Sequence, residues 1–132
     1  MEFQLSDTYK RQFAITQDVY SDFQTCSNDR NPLHTDDLFA QNKGFPEKVM
    51  YGNILNAFIS YFVGECLPTK NVIIHSQEIS FKNPVFMNEK LDFEARVSGI
   101  FEAVNAVEFK YKFIKPDGTT AAKGLLQIGL LK

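Results

Sequence analysis

The segment Tyr51–Leu67 constrains the fold of this chain more than any other part of its sequence. Its apolar side chains cover almost the whole circumference of a helix, which is stable only when other elements bury most of its sides. They are Ile54, Leu55, Ala57, Phe58, Ile59, Tyr61, Phe62 and Val63. At 1.5 Å per residue such a helix is about 25 Å long, enough to cross a small domain. Pro68 follows and ends it.

From about residue 71 onward, the sequence alternates between apolar and polar residues with period two, which predicts antiparallel strands. The first apolar faces are Leu91, Phe93, Ala95 and Val97 on one strand and Val107, Phe109, Tyr111 and Phe113 on the next. Pro116-Asp117-Gly118 is typical of a hairpin turn. Further strands are predicted at Asn71–Phe81 and Leu125–Leu131. A sheet curled around the apolar helix gives an α+β fold.

The part of the chain before this helix reads as one strand followed by short helices and loops. Tyr9–Ile15 is predicted to be a strand, and Thr16 the N-cap of a helix. Residues 27–33 are rich in turn formers and predict a loop. Thr35 or Asp36 is expected to cap a second short helix that ends near Gln41.

Composition excludes several classes of function. A chain of 132 residues predicts a single domain over residues 1–132. The 14 Lys and Arg nearly balance 16 Asp and Glu, so a nucleic acid partner is not expected. No stretch approaches the roughly 18 apolar residues of a membrane span, and Met1–Phe13 lacks the apolar core of a signal peptide. Because Cys26 and Cys66 lie far apart, neither a disulfide framework nor a metal site is expected, and the cytoplasm is the predicted compartment.

The densest polar cluster is the stretch Ser27–His34. It places the carboxylate of Asp29 and the imidazole of His34 five residues apart, with the rigid Pro32 between them. Such a pair can hold one water molecule and move a proton near neutral pH. Without further information, a turn aspartate and a solvated histidine are the commoner interpretation of this pattern.

Three stretches of the sequence resemble the family of MaoC-like, (R)-specific enoyl-CoA hydratases. They are Asp29-x-Asn31-Pro32-x-His34, then Met50-Tyr51-Gly52 with the helix ending Gly64-x-x-Leu67-Pro68, and the strand Ser76-Gln77-x-x-x-Ser80-Phe81-x-x-Pro84-Val85. They follow one another along the chain in the order typical of that family. The resemblance implies a hot-dog fold, in which a curled antiparallel sheet wraps a central helix, as the periodicity of the sequence independently predicts.

The resemblance also implies site residues and a reaction. Asp29 and His34 would be the catalytic pair, holding the water that adds to C3 of a trans-2-enoyl thioester. Asn31 would orient the loop or the pair, and the backbone N–H of Gly52 would bind the thioester carbonyl oxygen. The thioester carrier would be CoA or acyl carrier protein, and no cofactor is expected. A homodimer is expected as well, with the active site at the interface.

Two residues depart from the family pattern, since Tyr51 replaces the usual histidine and Ala57 a common serine. The helix carries instead a polar stripe of Asn53, Asn56 and Ser60. One interpretation is that Tyr51, Asn53 and Asn56 bind the substrate and select its acyl group. The other is that the stripe forms hydrogen bonds to the sheet or across a dimer interface.

Two alternative functions stay open at this stage. The same fold hosts thioesterases, which usually place an acid on the central helix, where this chain has the amides Asn53 and Asn56. A non-catalytic module that binds acyl thioesters or a partner protein is the other, because Tyr51 and Ala57 depart from the family pattern.

Overall fold

The period-two segments form a five-stranded antiparallel sheet. The computed structural model describes residues 2–132, so that only Met1 of the predicted domain lies outside the described residues. The strands are β1 (Thr8–Ala14), β2 (Val72–Phe81), β3 (Lys90–Phe101), β4 (Ala106–Ile114) and β5 (Thr120–Leu130). They lie side by side in the order β1-β3-β4-β5-β2, which leaves β1 and β2 at the two edges. The hairpin turn at Pro116–Gly118 is confirmed, with Gly118 at a φ of 87°.

The alternation predicted for the central strands is confirmed by their burial. The inward residues of β3 and β4 are all 3% exposed or less, while Lys110 and Lys112 face solvent. Phe62, Phe93 and Phe109 lie at the centre of the core, where the Phe62 and Phe109 rings meet edge to face at 5.6 Å. Phenylalanine suits this position because it fills volume without a polar atom that needs a partner.

The α-helices lie between β1 and β2 in the chain. They are α1 (Gln17–Ser27), α2 (Pro32–Thr35), α3 (Asp37–Asn42) and α4 (Ile54–Tyr61), the last continued by a π-helical turn at Phe62–Cys66. Thr16 caps α1 as predicted, accepting a hydrogen bond from the Val19 N–H, and of the two candidate caps for α3 the structure uses Asp36. Among residues 2–132, no helix is both long enough and apolar enough to cross a bilayer.

Helix α2 differs from the loop predicted at its position. Asn31 caps it by accepting from the Leu33 N–H, and Pro32 takes its first position, where a missing N–H costs nothing. A helix of four residues has no apolar period that would distinguish it from a loop in the sequence.

Helix α4 begins at Ile54 rather than at the predicted Tyr51. The sheet and α1 bury one side of it, including Leu55 and Ile59. The opposite face is open to solvent in the single chain, where Ala57 is exposed and Tyr61 is 52% exposed. The sheet of a single chain therefore curls around only part of the circumference of this helix.

A buried lysine ties the β4–β5 hairpin to the segment that joins β2 and β3. The Lys115 ammonium donates to the Pro84 carbonyl and lies 3.4 Å from a Glu89 carboxylate oxygen. The same Glu89 oxygen accepts from the Phe86 N–H at 2.7 Å. Lys115 is 8% exposed, so removal of its charge leaves the Glu89 carboxylate partly buried without a cation.

Replacing Lys115 by Met is expected to lower the free energy of unfolding by about 3 kcal/mol, since the remaining carboxylate of a buried pair loses its compensation. The double variant Lys115→Met, Glu89→Gln should lose less of the free energy of unfolding, because both charges are removed together. Urea unfolding measures both values. The exposed Lys90→Met is the control, with a change within about 0.5 kcal/mol. Equal losses in Lys115→Met and Lys90→Met would contradict this account.

Candidate active site

The loop between α1 and α2 is held by its own short side chains. The Ser27 hydroxyl accepts from the Asp29 N–H at 3.1 Å, and the Asp29 carboxylate accepts from the Asn31 N–H at 3.0 Å. The Asn31 amide oxygen accepts from the Leu33 N–H at 2.9 Å. Short polar side chains satisfy the backbone two residues ahead in this way, which fixes a turn. Asn31 therefore orients the loop.

The imidazole of His34 has a defined tautomer. Its Nδ1 lies 2.8 Å from the Val49 carbonyl oxygen. Because a carbonyl only accepts, Nδ1 carries the proton, and Nε2 of the neutral ring has a free lone pair. The ring packs against Tyr51 with 4.4 Å between centroids. His34 is therefore held in an orientation in which Nε2 can accept a proton.

Tyr51 joins this loop to the start of α4. Its hydroxyl donates to the Asp29 backbone carbonyl and accepts from the Gln24 side-chain amide at 3.3 Å. The side chain is 2% exposed. Burial raises the pKa of the Tyr51 phenol above its ordinary value, against an opposing hydrogen bond from Gln24. The hydroxyl thus stays protonated at neutral pH and acts as a donor.

A cavity of about 310 Å³ opens beside His34, Tyr51 and Gly52. The rest of its wall is mostly apolar: Ile15, Phe45, Val49, Met50, Leu55, Phe81, Lys82, Asn83, Pro84, Val85 and Ala121. Gly52 lies in the turn before α4, and its N–H donates to no backbone carbonyl among residues 2–132. The wall of the cavity therefore combines a histidine, a glycine whose N–H has no backbone partner in the described residues, and apolar side chains, which suits an acyl group with one polar reacting centre.

Not all of the predicted site residues line this cavity. In the described part of the chain, Asp29 is exposed and contributes its backbone to the Tyr51 contact, without forming part of the cavity wall. Asn53, the N-cap of α4, and Asn56 on α4 lie outside the wall, and the Asn56 amide nitrogen donates to the Asn53 amide oxygen at 2.9 Å. Asn56 also accepts from Gln77 of β2, which is the hydrogen bond to the sheet that one interpretation expected. Substrate binding by Asn53 and Asn56 stays a prediction.

Sequence reasoning missed two residues of α1 that contact this site. The Tyr20 hydroxyl donates to the His34 backbone carbonyl at 2.8 Å, and Gln24 bridges the Tyr20 and Tyr51 hydroxyls. Tyr20 and Gln24 are four residues apart and so share a face of the helix. That spacing is visible in the sequence, but the packing of this helix face against the predicted loop is not.

Comparison with known sequences agrees with this geometry. The sequence profile of the family described as "MaoC like domain" matches residues 4–116. The (R)-specific enoyl-CoA hydratase of Aeromonas caviae is 31% identical over 102 residues, which are 77% of this chain and 76% of the relative. The 3-hydroxybutyryl-CoA dehydratase of Methylorubrum extorquens is 26% identical over 98 residues, 74% of this chain and 61% of the relative.

Solved structures show the same architecture. The (R)-hydratase from A. caviae involved in PHA biosynthesis superposes with a TM-score of 0.89 at 26% identity, covering 97% of both chains. The unliganded R-hydratase PhaJ1 from Pseudomonas aeruginosa has a TM-score of 0.89 at 24% identity over 99% of this chain and 84% of its own. The predicted hot-dog fold is thus confirmed.

These relatives also confirm the prediction that the chain is an enzyme of the hydro-lyase type. The profile match spans most of the sequence, including the loop Ser27–His34 and the turn that contains Gly52. The chain belongs to the MaoC-like domain family.

Proposed function

We propose that this chain, acting as a single domain in the cytoplasm, hydrates trans-2-enoyl thioesters to (R)-3-hydroxyacyl thioesters and catalyses the reverse dehydration. The observation that carries the proposal is that His34, with Nε2 available, and Gly52, with an N–H that donates to no backbone carbonyl of residues 2–132, line one apolar cavity. Relatives named for hydration of enoyl-CoA and for dehydration of 3-hydroxyacyl-acyl-carrier-protein support the substrate class. CoA and acyl carrier protein are both proposed carriers.

In the proposed reaction, the Asp29 carboxylate and the His34 Nε2 hold one water molecule. Nε2 accepts a proton from the water as the water oxygen bonds to C3, and the C2=C3 electrons move toward the thioester oxygen. The protonated imidazole then returns that proton to C2 on the same face, and the enolate electrons form the new C–H bond. Water supplies every atom that is added, so the reaction as proposed balances without a cofactor.

Gly52 has the proposed role of stabilising the negative charge that collects on the thioester oxygen. Its N–H lies at the turn before α4, where the helix dipole favours negative charge. Loss of one such donor typically costs about 3 kcal/mol of transition-state stabilisation. Glycine also allows the substrate to approach the backbone closely.

One assay tests the proposed function against both alternatives. The purified protein is incubated with crotonyl-CoA while enoyl absorbance and free thiol are followed together. Loss of absorbance without thiol supports hydration, whereas release of thiol indicates a thioesterase and measurable binding without turnover indicates a non-catalytic module. The thioesterase has little support, since the only carboxylate on residues 54–66 is Glu65, which is exposed and paired with Lys70 at 2.7 Å.

We also propose a homodimer in which the β2 edges of two copies pair. This edge is ten residues long and carries Ile73 and Ile74, 52% and 36% exposed, and a long apolar edge is rarely left uncovered. Tyr61, on the open face of α4, is 52% exposed as well.

Light scattering at micromolar concentration should give the mass of a dimer. Ile74→Lys should shift it to the monomer mass, because a charge on the edge opposes pairing. Leu5→Lys is the control, since this 63% exposed residue lies next to β1 at the opposite edge of the sheet. A monomeric wild-type protein would contradict the proposal.

A further inference from the structure

A continuous chain of hydrogen bonds connects the backbone of Asp29 with the backbone of His34, at the two ends of the segment that carries the proposed catalytic pair. The Tyr51 hydroxyl donates to the Asp29 carbonyl, and the Tyr20 hydroxyl donates to the His34 carbonyl at 2.8 Å. The Gln24 amide nitrogen joins the two hydroxyls, at 3.3 Å from Tyr51 and 3.4 Å from Tyr20. The Tyr20 and Tyr51 rings stack with 5.6 Å between centroids.

Both tyrosines are buried, so their hydrogen bonds contribute more to the stability of the loop than hydrogen bonds at the surface would. Tyr20 is 6% exposed and Tyr51 is 2% exposed. The contacts of the two hydroxyls with the loop carbonyls are partly buried, so a carbonyl that loses its donor there would drive the loop to rearrange toward solvent. The site therefore depends on α1, a helix that contributes no residue to the cavity wall among the described residues.

We propose that Tyr20, Gln24 and Tyr51 are positioning residues that set the separation of the Asp29 carboxylate and the His34 imidazole. Each tyrosine holds the backbone of one partner, and Gln24 couples the two. The tyrosine hydroxyls act on the loop directly, whereas the Gln24 contacts are longer and hence weaker. Removal of either tyrosine hydroxyl should therefore lower the activity more than removal of the Gln24 amide does.

The positioning role rests on the proposed function. Kinetics with crotonyl-CoA test the positioning role separately from the proposed function. Tyr51→Phe and Tyr20→Phe should each lower kcat about 10- to 100-fold, since small displacements of reacting groups have effects of this size, and should leave KM within about twofold. Gln24→Leu should lower kcat by less than either. In an Asp29→Asn background, Tyr51→Phe should have no further effect on kcat, because no pair remains to be positioned.

Tyr111→Phe is the matched control. This buried tyrosine also donates to a backbone carbonyl, that of Glu78 at 2.8 Å, but it lies on the sheet outside the cavity wall. It loses the same kind of hydrogen bond and should keep the wild-type kcat. Equal loss of kcat in Tyr111→Phe and Tyr51→Phe would show a general loss of stability and overturn the proposal.

Amide hydrogen exchange gives a second readout that does not need turnover. Tyr20→Phe and Tyr51→Phe should speed exchange at the amides of Asn31, Leu33 and His34 about 5- to 10-fold more than Tyr111→Phe does, since the loop opens locally. Unchanged exchange there overturns the proposal whatever the activity. An active wild type that depends on Asp29 and His34 but not on the tyrosine hydroxyls overturns this inference alone, whereas an inactive wild type overturns the proposed function and the catalytic role together.

Discussion

Asp29→Asn and His34→Ala should each lower kcat for hydration of crotonyl-CoA by about 1,000-fold, the middle of the range for loss of a general acid or base. Asp29→Asn keeps the shape of the side chain and can still accept from the Asn31 N–H, so the loop should keep its turn. What it removes is the negative charge that orients the water and stabilises a positively charged imidazole. Steady-state rates across a range of crotonyl-CoA concentrations measure the effect.

His34→Ala removes the ring that packs on Tyr51, so its folding needs a separate check. His34→Gln is the matched variant, because it keeps a polar side chain of similar reach without a group that titrates near neutral pH. Both variants should unfold cooperatively in urea and both should lack hydration. Activity within tenfold of wild type in Asp29→Asn or His34→Gln would contradict the proposed pair.

Gly52→Ala should lower kcat by about 100-fold, with little change in stability. The added methyl group would lie 2.9 Å from Cε1 of Phe81, so the Phe81 ring must move at the cavity wall beside the N–H. Phe81 is 51% exposed, which lets the ring move at little cost to the fold. The crowded wall keeps the thioester oxygen from the backbone donor, and kinetics with crotonyl-CoA measure the loss.

Gly64→Ala is the control for this substitution. Gly64 lies in the π-helical turn, and a methyl group there would contact no atom within 4 Å. It should keep the wild-type kcat. If Gly52→Ala were as active as Gly64→Ala, the added methyl group would not obstruct the wall beside the Gly52 N–H, and the proposed approach of the thioester oxygen at this point would be contradicted.

Much of the fold could be predicted because it depends on periodicity. Alternation identified the central strands and their buried faces, and the cap at Thr16 identified the start of α1. The predicted start of α4 lies three residues too early, because Tyr51 precedes a short turn and Asn53, a residue type common at N-caps, begins the helix. Whether one face of α4 is covered by its own chain or by another is a property of assembly, which a periodic pattern does not contain.

The site was predictable in part and for a different reason. Spacing alone did not distinguish Asp29 and His34 from ordinary turn residues, and the family resemblance was needed to connect them with Gly52. Tyr20 and Gln24 could not be found in this way, because their contacts join α1 to a loop whose course is set by tertiary structure. The local sequence around Tyr20 and Gln24 carries no information on which loop their helix face contacts.

All groups proposed to take part in bond making lie between β1 and α4, on residues 29–52. One wall of the cavity is formed by other parts of the chain, namely residues 81–85 at the end of β2 and Ala121 on β5. Substitutions in that wall can alter which acyl groups fit while the acid, the imidazole and the backbone donor stay in place. Substrate range could therefore diverge between relatives without any change in reaction type, and a library restricted to Phe81, Val85 and Ala121 is a direct route to new chain-length preferences.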